Sequence, residues 1–211
     1  SLVGSEMCIR DRDKISVLPN AVDSSKFNIA PKDKKLESEL GFEGKVVIGY
    51  IGSFVEYEGL DLLLEACSIL KEKHGDIFRL LLVGDGDTMQ LLRRTARFLQ
   101  LEDQVVFTGR IPHDDVQRYY SLIDIAPLPR KGLRVCELVS PLKPFEAMGA
   151  GKVLITSSVQ ALAEIVQDGV TGMVFEKDNS EDLAAKLETA ILDEELRKNI
   201  GENANKWVVE N

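Results

Sequence analysis

The sequence predicts an α/β fold, a doubly wound parallel sheet of about six strands covered by helices on both faces. Three observations predict it. Short, almost wholly apolar runs recur along the chain, among them Lys45-Val-Val-Ile-Gly-Tyr-Ile51 and Phe78-Arg-Leu-Leu-Leu-Val83, as in strands buried on both faces. Between them lie stretches whose apolar residues return every three or four positions, a helical period. The two kinds alternate, which is the pattern of β-α-β units joined by right-handed crossovers.

Taken in order, a short strand is expected at 15–18, ended by Pro19-Asn20. A small helix at 31–40 stops at Gly41. The β-branched run at 45–51 is a strand. The segment 59–73 is a helix, with Leu60, Leu63, Leu64, Cys67 and Leu70 on one face. Strand 78–83 closes at Gly84-Asp-Gly86, and Asp87 is the expected N-cap of a helix to 99. Strand 105–108, helix 114–122 and strand 123–127 follow. The Pro-, Arg- and Lys-rich stretch 128–142 reads as irregular. Pro144 suits the first turn of a helix at 144–149. A strand at 152–157, a helix at 160–167 and a strand at 172–175 come next. Ser180 is a candidate N-cap for a helix through 192, and a last helix spans 194–209. Because ligands of such sheets bind at the carboxyl ends of the strands, the loops 52–58, 84–87, 109–113, 128–143 and 157–160 are the ones to watch.

Composition narrows the function. Hydrophobic residues form 44% of the 211, enough for one sizeable core. No apolar run approaches the roughly 18 residues of a membrane span. The net charge of −9 argues against broad nucleic-acid binding. Cys8, Cys67 and Cys136 are scattered without metal-ligand spacing, which fits a reducing compartment with no disulfide framework and no metal site. His74 and His113 read as surface residues. Residues 1–12 lack both periodicities and the apolar core of a signal peptide; they resemble a translated sequencing adapter and are set aside as a non-native leader. The domain is then 13–211.

Four segments carry candidate chemistry. Gly49-Tyr-Ile-Gly52-Ser53 ends a strand where backbone can approach a ligand, or simply turns into the next helix. Val83-Gly84-Asp-Gly-Asp87 invites a dinucleotide fingerprint, but the third glycine falls on Met89, so a turn lining a nucleotide cleft is the better reading. In Ser140-Pro141-Leu142-Lys143-Pro-Phe-Glu146, a basic loop enters a helix whose free N–H groups suit a diphosphate. There Lys143 adds a full charge and Glu146 can accept from a ribose diol, although a glutamate in a first turn is also plainly stabilising. Arg130, Lys131 and Arg134, with Glu137 just after, form a loop that either grips phosphate or is simply solvated.

Taken together these segments resemble the C-terminal domain of family 4 glycosyltransferases, enzymes of the GT-B type with two Rossmann-like domains. The resemblance runs from about Ile15 onward. It rests on Leu18-Pro-Asn-Ala-Val-Asp23, Gly52-Ser-Phe-Val-Glu-Tyr-Glu-Gly-Leu-Asp-Leu-Leu63, Leu82-Val-Gly-Asp-Gly86, Phe107-Thr-Gly-Arg-Ile-Pro112, Leu142-Lys-Pro-Phe-Glu-Ala-Met-Gly-Ala-Gly-Lys152 and Glu164-Ile-Val-Gln-Asp-Gly-Val-Thr-Gly-Met-Val-Phe175. It implies retaining transfer of a sugar from a nucleoside diphosphate, without a tightly bound metal or cofactor. Glu146 would hold the ribose, Arg110 and Ile111 the base, and Gly52, Ser53, Gly84, Pro141 and Leu142 would line the donor. The residues do not name the base; a UDP-sugar is expected ahead of a GDP-sugar. A sugar or lipid-linked acceptor would be bound by an N-terminal domain absent here, so the chain is expected to bind donor and transfer poorly, and its last helix reads as truncated. A cytoplasmic setting is implied, with a peripheral place at the inner face of the membrane left open.

Two departures stand out. Where the family carries Arg after the first glycine and Lys before the next, this chain has Ser53 and Glu58. Arg130, Arg134 and Lys143 are therefore expected to supply the missing charge. The family's paired glutamates are separated by seven residues, whereas Glu137 and Glu146 are separated by eight; Glu137 either reaches the donor sugar or pairs with a nearby arginine. Two other readings stay open: a nucleotide-sugar epimerase of the same architecture and a non-catalytic binding or scaffold module.

Overall fold

The computed structural model describes residues 28–210. The leader at 1–12, the expected strand at 15–18 and the segment 18–23 lie outside the described residues. One six-stranded sheet is present, made of β1 (Val46–Ile51), β2 (Phe78–Val83), β3 (Val105–Gly109), β4 (Ile125–Leu128), β5 (Val153–Ser157) and β6 (Met173–Phe175). Its order is β3-β2-β1-β4-β5-β6 and every pairing is parallel, the fold class expected from the alternating pattern. The chain builds outward from β1 to β3, then crosses back to start β4 on the other side of β1. The reversal between β1 and β4 leaves a crevice at their carboxyl ends, because the connections leave in opposite directions there.

The helices of the described residues are α1 (Lys34–Glu39), α2 (Leu60–His74), α3 (Met89–Phe98), α4 (Val116–Leu122), α5 (Arg134–Leu138), α6 (Lys143–Gly149), α7 (Gln160–Ala163), α8 (Ser180–Leu192) and α9 (Glu194–Glu210). The apolar face anticipated for α2 is buried: Leu60, Leu63, Leu64, Cys67 and Leu70 all pack into the core. Truncating any of these leucines to alanine removes both transfer energy and packing, typically about 2–5 kcal/mol. Helix α2 packs on α3 and α8, and α9 packs on α6 and β5. The α6–α9 contact includes stacked Phe145 and Trp207 rings, 6.3 Å between centroids, and Asn205 Nδ2 donating to the Gly149 carbonyl at 2.6 Å.

Several boundaries differ from expectation. The stretch 128–142 is not wholly irregular, since it contains α5, a five-residue helix anchored by buried Cys136 and too short to show a period. The helix expected to reach 167 ends at Ala163. Beyond it the chain bends, with Gln167 N donating to Thr171 Oγ1 and Val170 N to the Gln167 carbonyl. Asp87 does not cap α3; Thr88 holds that position without a side-chain bond. The cap of α8 is Asn179, whose side chain accepts from Asp182 N, so Ser180 is the first helical residue. His74 is only half-exposed and lies 2.5 Å from Glu188 on α8.

The loops after the strands are laced backbone to backbone. Gly52 N donates to the Val83 carbonyl, Phe54 N to Asp85, Thr88 N to Phe54 and Gly84 N to Gly109, all between 2.9 and 3.1 Å. A β-carbon at Gly84 would collide with the Gly52 carbonyl, so the close approach of these loops requires glycine. The turn after β1 ends at Gly59, where φ is 70°, and a β-carbon there would collide with the Pro129 carbonyl. Gly59→Ala should therefore cost about 2–3 kcal/mol, from backbone strain and forced separation of two loops. Urea denaturation should show the midpoint falling with an unchanged slope.

Candidate functional site

Three segments meet in the crevice between β1 and β4: the turn after β1, the loop after β4 and the start of α6. Their meeting point is Glu58, which closes the short 3-10 turn Glu56–Glu58 and is 2% exposed. Its Oε1 receives Arg130 Nη2 at 3.0 Å and Lys143 Nζ at 3.0 Å. Arg130, 7% exposed, also donates through Nη1 to the Val139 carbonyl at 2.9 Å and lies over the Tyr57 ring. Lys143 Nζ donates to the Tyr50 hydroxyl at 2.8 Å, and that hydroxyl donates to the Ser53 carbonyl at 3.1 Å. The Lys143 stem fills the space over Gly52 that a β-carbon would occupy. Glycine at 52 is thus what lets the ammonium reach the turn after β1.

The electrostatics follow from this packing. Burial alone would raise the Glu58 carboxyl, but the charges of Lys143 and Arg130 outweigh it and hold the group below its ordinary value. Lys143 is lowered, first by burial, with Glu58 opposing the shift. Burial, reinforced by Glu58, pushes the Tyr50 phenol far up, so it stays protonated and keeps its bond to Ser53. One carboxylate against two cations leaves a single net positive charge in the cluster. Desolvated charge in a crevice acts on an anion far more strongly than the same charge in water.

The other anticipated residues fall into two groups. Ser53 is exposed beside Gly52, and Gly84 lies on the same laced rim. Arg110 extends into solvent at the end of β3 with its guanidinium 3.9 Å from Asp85, and half-buried Ile111 follows it. Pro141 and Leu142 lead into α6, with Leu142 as an N-cap that offers no side-chain acceptor. Glu146, in the first turn of α6, accepts from the Tyr120 hydroxyl at 3.2 Å. Among the described residues no hydrogen bond or ion pair joins Arg134 or Glu137 to Arg130 or Lys143. Arg134 opens α5, is exposed and makes no ion pair among the described residues. Glu137 accepts from Gln160 N at 2.6 Å and pairs with Lys177 Nζ at 2.5 Å, and these two bonds depress its carboxyl, the backbone bond most. The two glutamates sit on different helices, each committed to a different partner.

Lys131, the third cation of the loop, pairs with Asp61 on α2 at 2.6 Å. The anions that the 130–134 cluster lacked on paper are therefore partly the protein's own, Glu58 and Asp61. Sequence reasoning registered Glu58 as a lost lysine and overlooked Tyr50 as an ordinary strand residue. The available signal was the sign change itself: an acid at a position expected to be basic, with unmatched cations elsewhere. Among the described residues no group of three His, Cys, Asp or Glu is placed to hold a metal ion, and no helix is long and apolar enough to cross a membrane.

Comparison with known proteins agrees with this architecture. Among solved structures, the C-terminal domain of a glycosyl transferase group 1 family protein (LpcC) from Francisella tularensis superposes with a TM-score of 0.78 at 23% identity, over 90% of this chain and 98% of that one. Alr3699/HepE of Anabaena, crystallised with UDP-glucose, gives 0.81 at 23% identity, over 92% of this chain and 52% of that one. The amylovoran biosynthesis glycosyltransferase AmsK of Erwinia amylovora is 27% identical over 176 residues, 83% of this chain and 41% of that protein. The chain spans about half the length of the curated relatives it matches. Residues 31–207 match the family described as glycosyl transferases group 1, and the chain belongs to that family.

Proposed function

We propose that this chain is the donor-binding part of a retaining glycosyltransferase of family 4, its C-terminal Rossmann-like domain. It takes up a nucleoside-diphosphate sugar, UDP-linked ahead of GDP-linked, and the enzyme passes the hexosyl group to a sugar or lipid-linked acceptor in polysaccharide or glycoconjugate synthesis. The observation that carries this reading is the pair of cations, buried Arg130 and half-buried Lys143, at the strand reversal and beside Gly52. A departing diphosphate gains negative charge at its bridging oxygen, and fixed cations in a desolvated crevice stabilise that charge without reorganising. Glu146 lies in the first turn of α6, the helix that Lys143 begins, where an acceptor for ribose hydroxyls is expected. Support for uracil comes from the UDP-glucose complex of the Anabaena protein, and support for the polysaccharide setting from the amylovoran enzyme. The greater length of the relatives supports an acceptor site outside residues 28–210. A cytoplasmic enzyme working at the inner face of a membrane fits that acceptor class.

Charge in this reading comes chiefly from Arg130 and Lys143, with exposed Arg134 as a lesser contributor. Calorimetry with UDP, GDP and their sugar conjugates tests it. Glu146→Ala should weaken UDP binding about 10- to 100-fold, the loss of roughly 1.5–3 kcal/mol of charge-assisted hydrogen bonding. No nucleotide binding by a chain that still melts cooperatively would favour a scaffold module instead. Lys143→Met should weaken UDP by a similar factor and leave uridine, which lacks phosphate, nearly unchanged. An equal loss for both ligands would contradict the assignment of Lys143 to the phosphates.

A further inference from the structure

We propose that Glu58 is a positioning residue of this site: its buried carboxylate holds Arg130 and Lys143 at the carboxyl ends of β1 and β4 and keeps the Lys143 ammonium over the Gly52 turn. The proposal rests on the donor reading above and extends it to a residue that acts through its two cationic partners.

Geometry supports it on three counts. First, Glu58 bonds to both cations through one oxygen, Oε1, at 3.0 Å each, while Oε2 has no donor in hydrogen-bonding geometry. Tyr50 lies beside the carboxylate but directs its proton to Ser53. A carboxylate arranged for stability alone would satisfy both oxygens, and buried ion pairs with unsatisfied atoms are seldom more stable than an apolar replacement. Second, the three groups come from three segments separated in sequence, so the carboxylate fixes their relative positions and not merely a local turn. Third, the anion and its cations stand on facing walls: Glu58 ends the turn before α2, while Arg130 and Lys143 come from the loop after β4 and the start of α6. The anion then keeps two like charges together before any phosphate arrives.

The consequence for Lys143 is specific. The charged or titratable groups facing it are Tyr50 from β1, Glu58 from the turn, Arg130 from the loop after β4 and Glu146 from its own helix. Burial and Arg130 favour the neutral amine; Glu58 and Glu146 favour the ammonium. An anionic donor needs the ammonium, so affinity falls as pH rises through the Lys143 titration. Removing the Glu58 charge moves that fall to lower pH.

The test uses the full chain, UDP as probe and the isosteric Glu58→Gln, which keeps an acceptor for both cations but no charge. Lysine side chains carrying 13C at Cε are titrated by NMR, with Lys143 identified by the signal missing in Lys143→Met. In Glu58→Gln the proton affinity of Lys143 should drop about tenfold or more. UDP affinity should then be lost at correspondingly lower pH, and Glu58→Gln should have no further pH effect in the Lys143→Met background. A merely structural role for Glu58 would lower affinity equally at every pH. An unmoved Lys143 titration, with UDP binding intact, overturns the role of Glu58 and leaves the donor reading standing. Absence of UDP and GDP binding by the unaltered chain overturns the donor reading and this role with it. Should Glu58→Gln fail to fold, coupling is read from the other side: the Glu58 carboxyl must titrate at higher pH in Lys143→Met than in the unaltered chain. An unchanged Glu58 titration overturns the proposal.

Discussion

A single buried carboxylate, Glu58, joins the turn after β1 to the loop after β4 and the start of α6. The turn leaves β1 while the other two lie on the connection from β4 to β5, and the sheet alone does not fix how they meet. Two cations brought together at one oxygen do so, at the cost of desolvating three charges. The Gly59–Pro129 backbone contact lies directly beside this meeting point and needs the same close approach. Loss of one feature strains the other, so the crevice behaves as one unit and not as a set of independent loops.

The rest of the fold serves that unit at longer range. Parallel strand order brings the ends of β1 and β4 to the same edge, and the rim bonds between residues 52–54 and 83–88 prevent the first turn from drifting. Behind α6, the stacked Phe145 and Trp207 rings and the Asn205 bond to Gly149 set the angle at which the helix presents Lys143 and Glu146. Site geometry is therefore supported from two sides, by backbone ladder on one and helix packing on the other.

How much of this was readable in the sequence depended on whether the signal was periodic. The strands and α2 announce themselves because burial imposes apolar runs and a helical stripe, and residues such as Leu63, Leu64 and Leu81 lie where that logic puts them. Caps were displaced by one residue at Asn179 and Thr88 because adjacent polar residues compete for the same role. Helix α5 was invisible because five residues show no period. Within the crevice, Arg130 and Lys143 were legible as cations, grouped with Arg134, and Gly52 as a close backbone approach, but the joining of the two cations through Glu58 was not. Long-range ion pairs leave no local pattern; the partners here are 72 and 85 positions apart, from 130 − 58 and 143 − 58. Glu137 illustrates the converse, since its spacing pointed toward Glu146 while Lys177 and Gln160, distant in sequence, hold its carboxylate.

The space at Gly84 is already filled by the carbonyl of Gly52. Any side chain introduced at 84 must push that carbonyl away, and with it the turn over which the Lys143 ammonium lies. In a genetic screen scored by activity, position 84 would then behave like a ligand-contacting residue and show the same intolerance as Gly52. Its alleles would be told apart by suppression, because a change that relieves crowding at the first turn can rescue Gly84 variants and can do nothing for the loss of a charge.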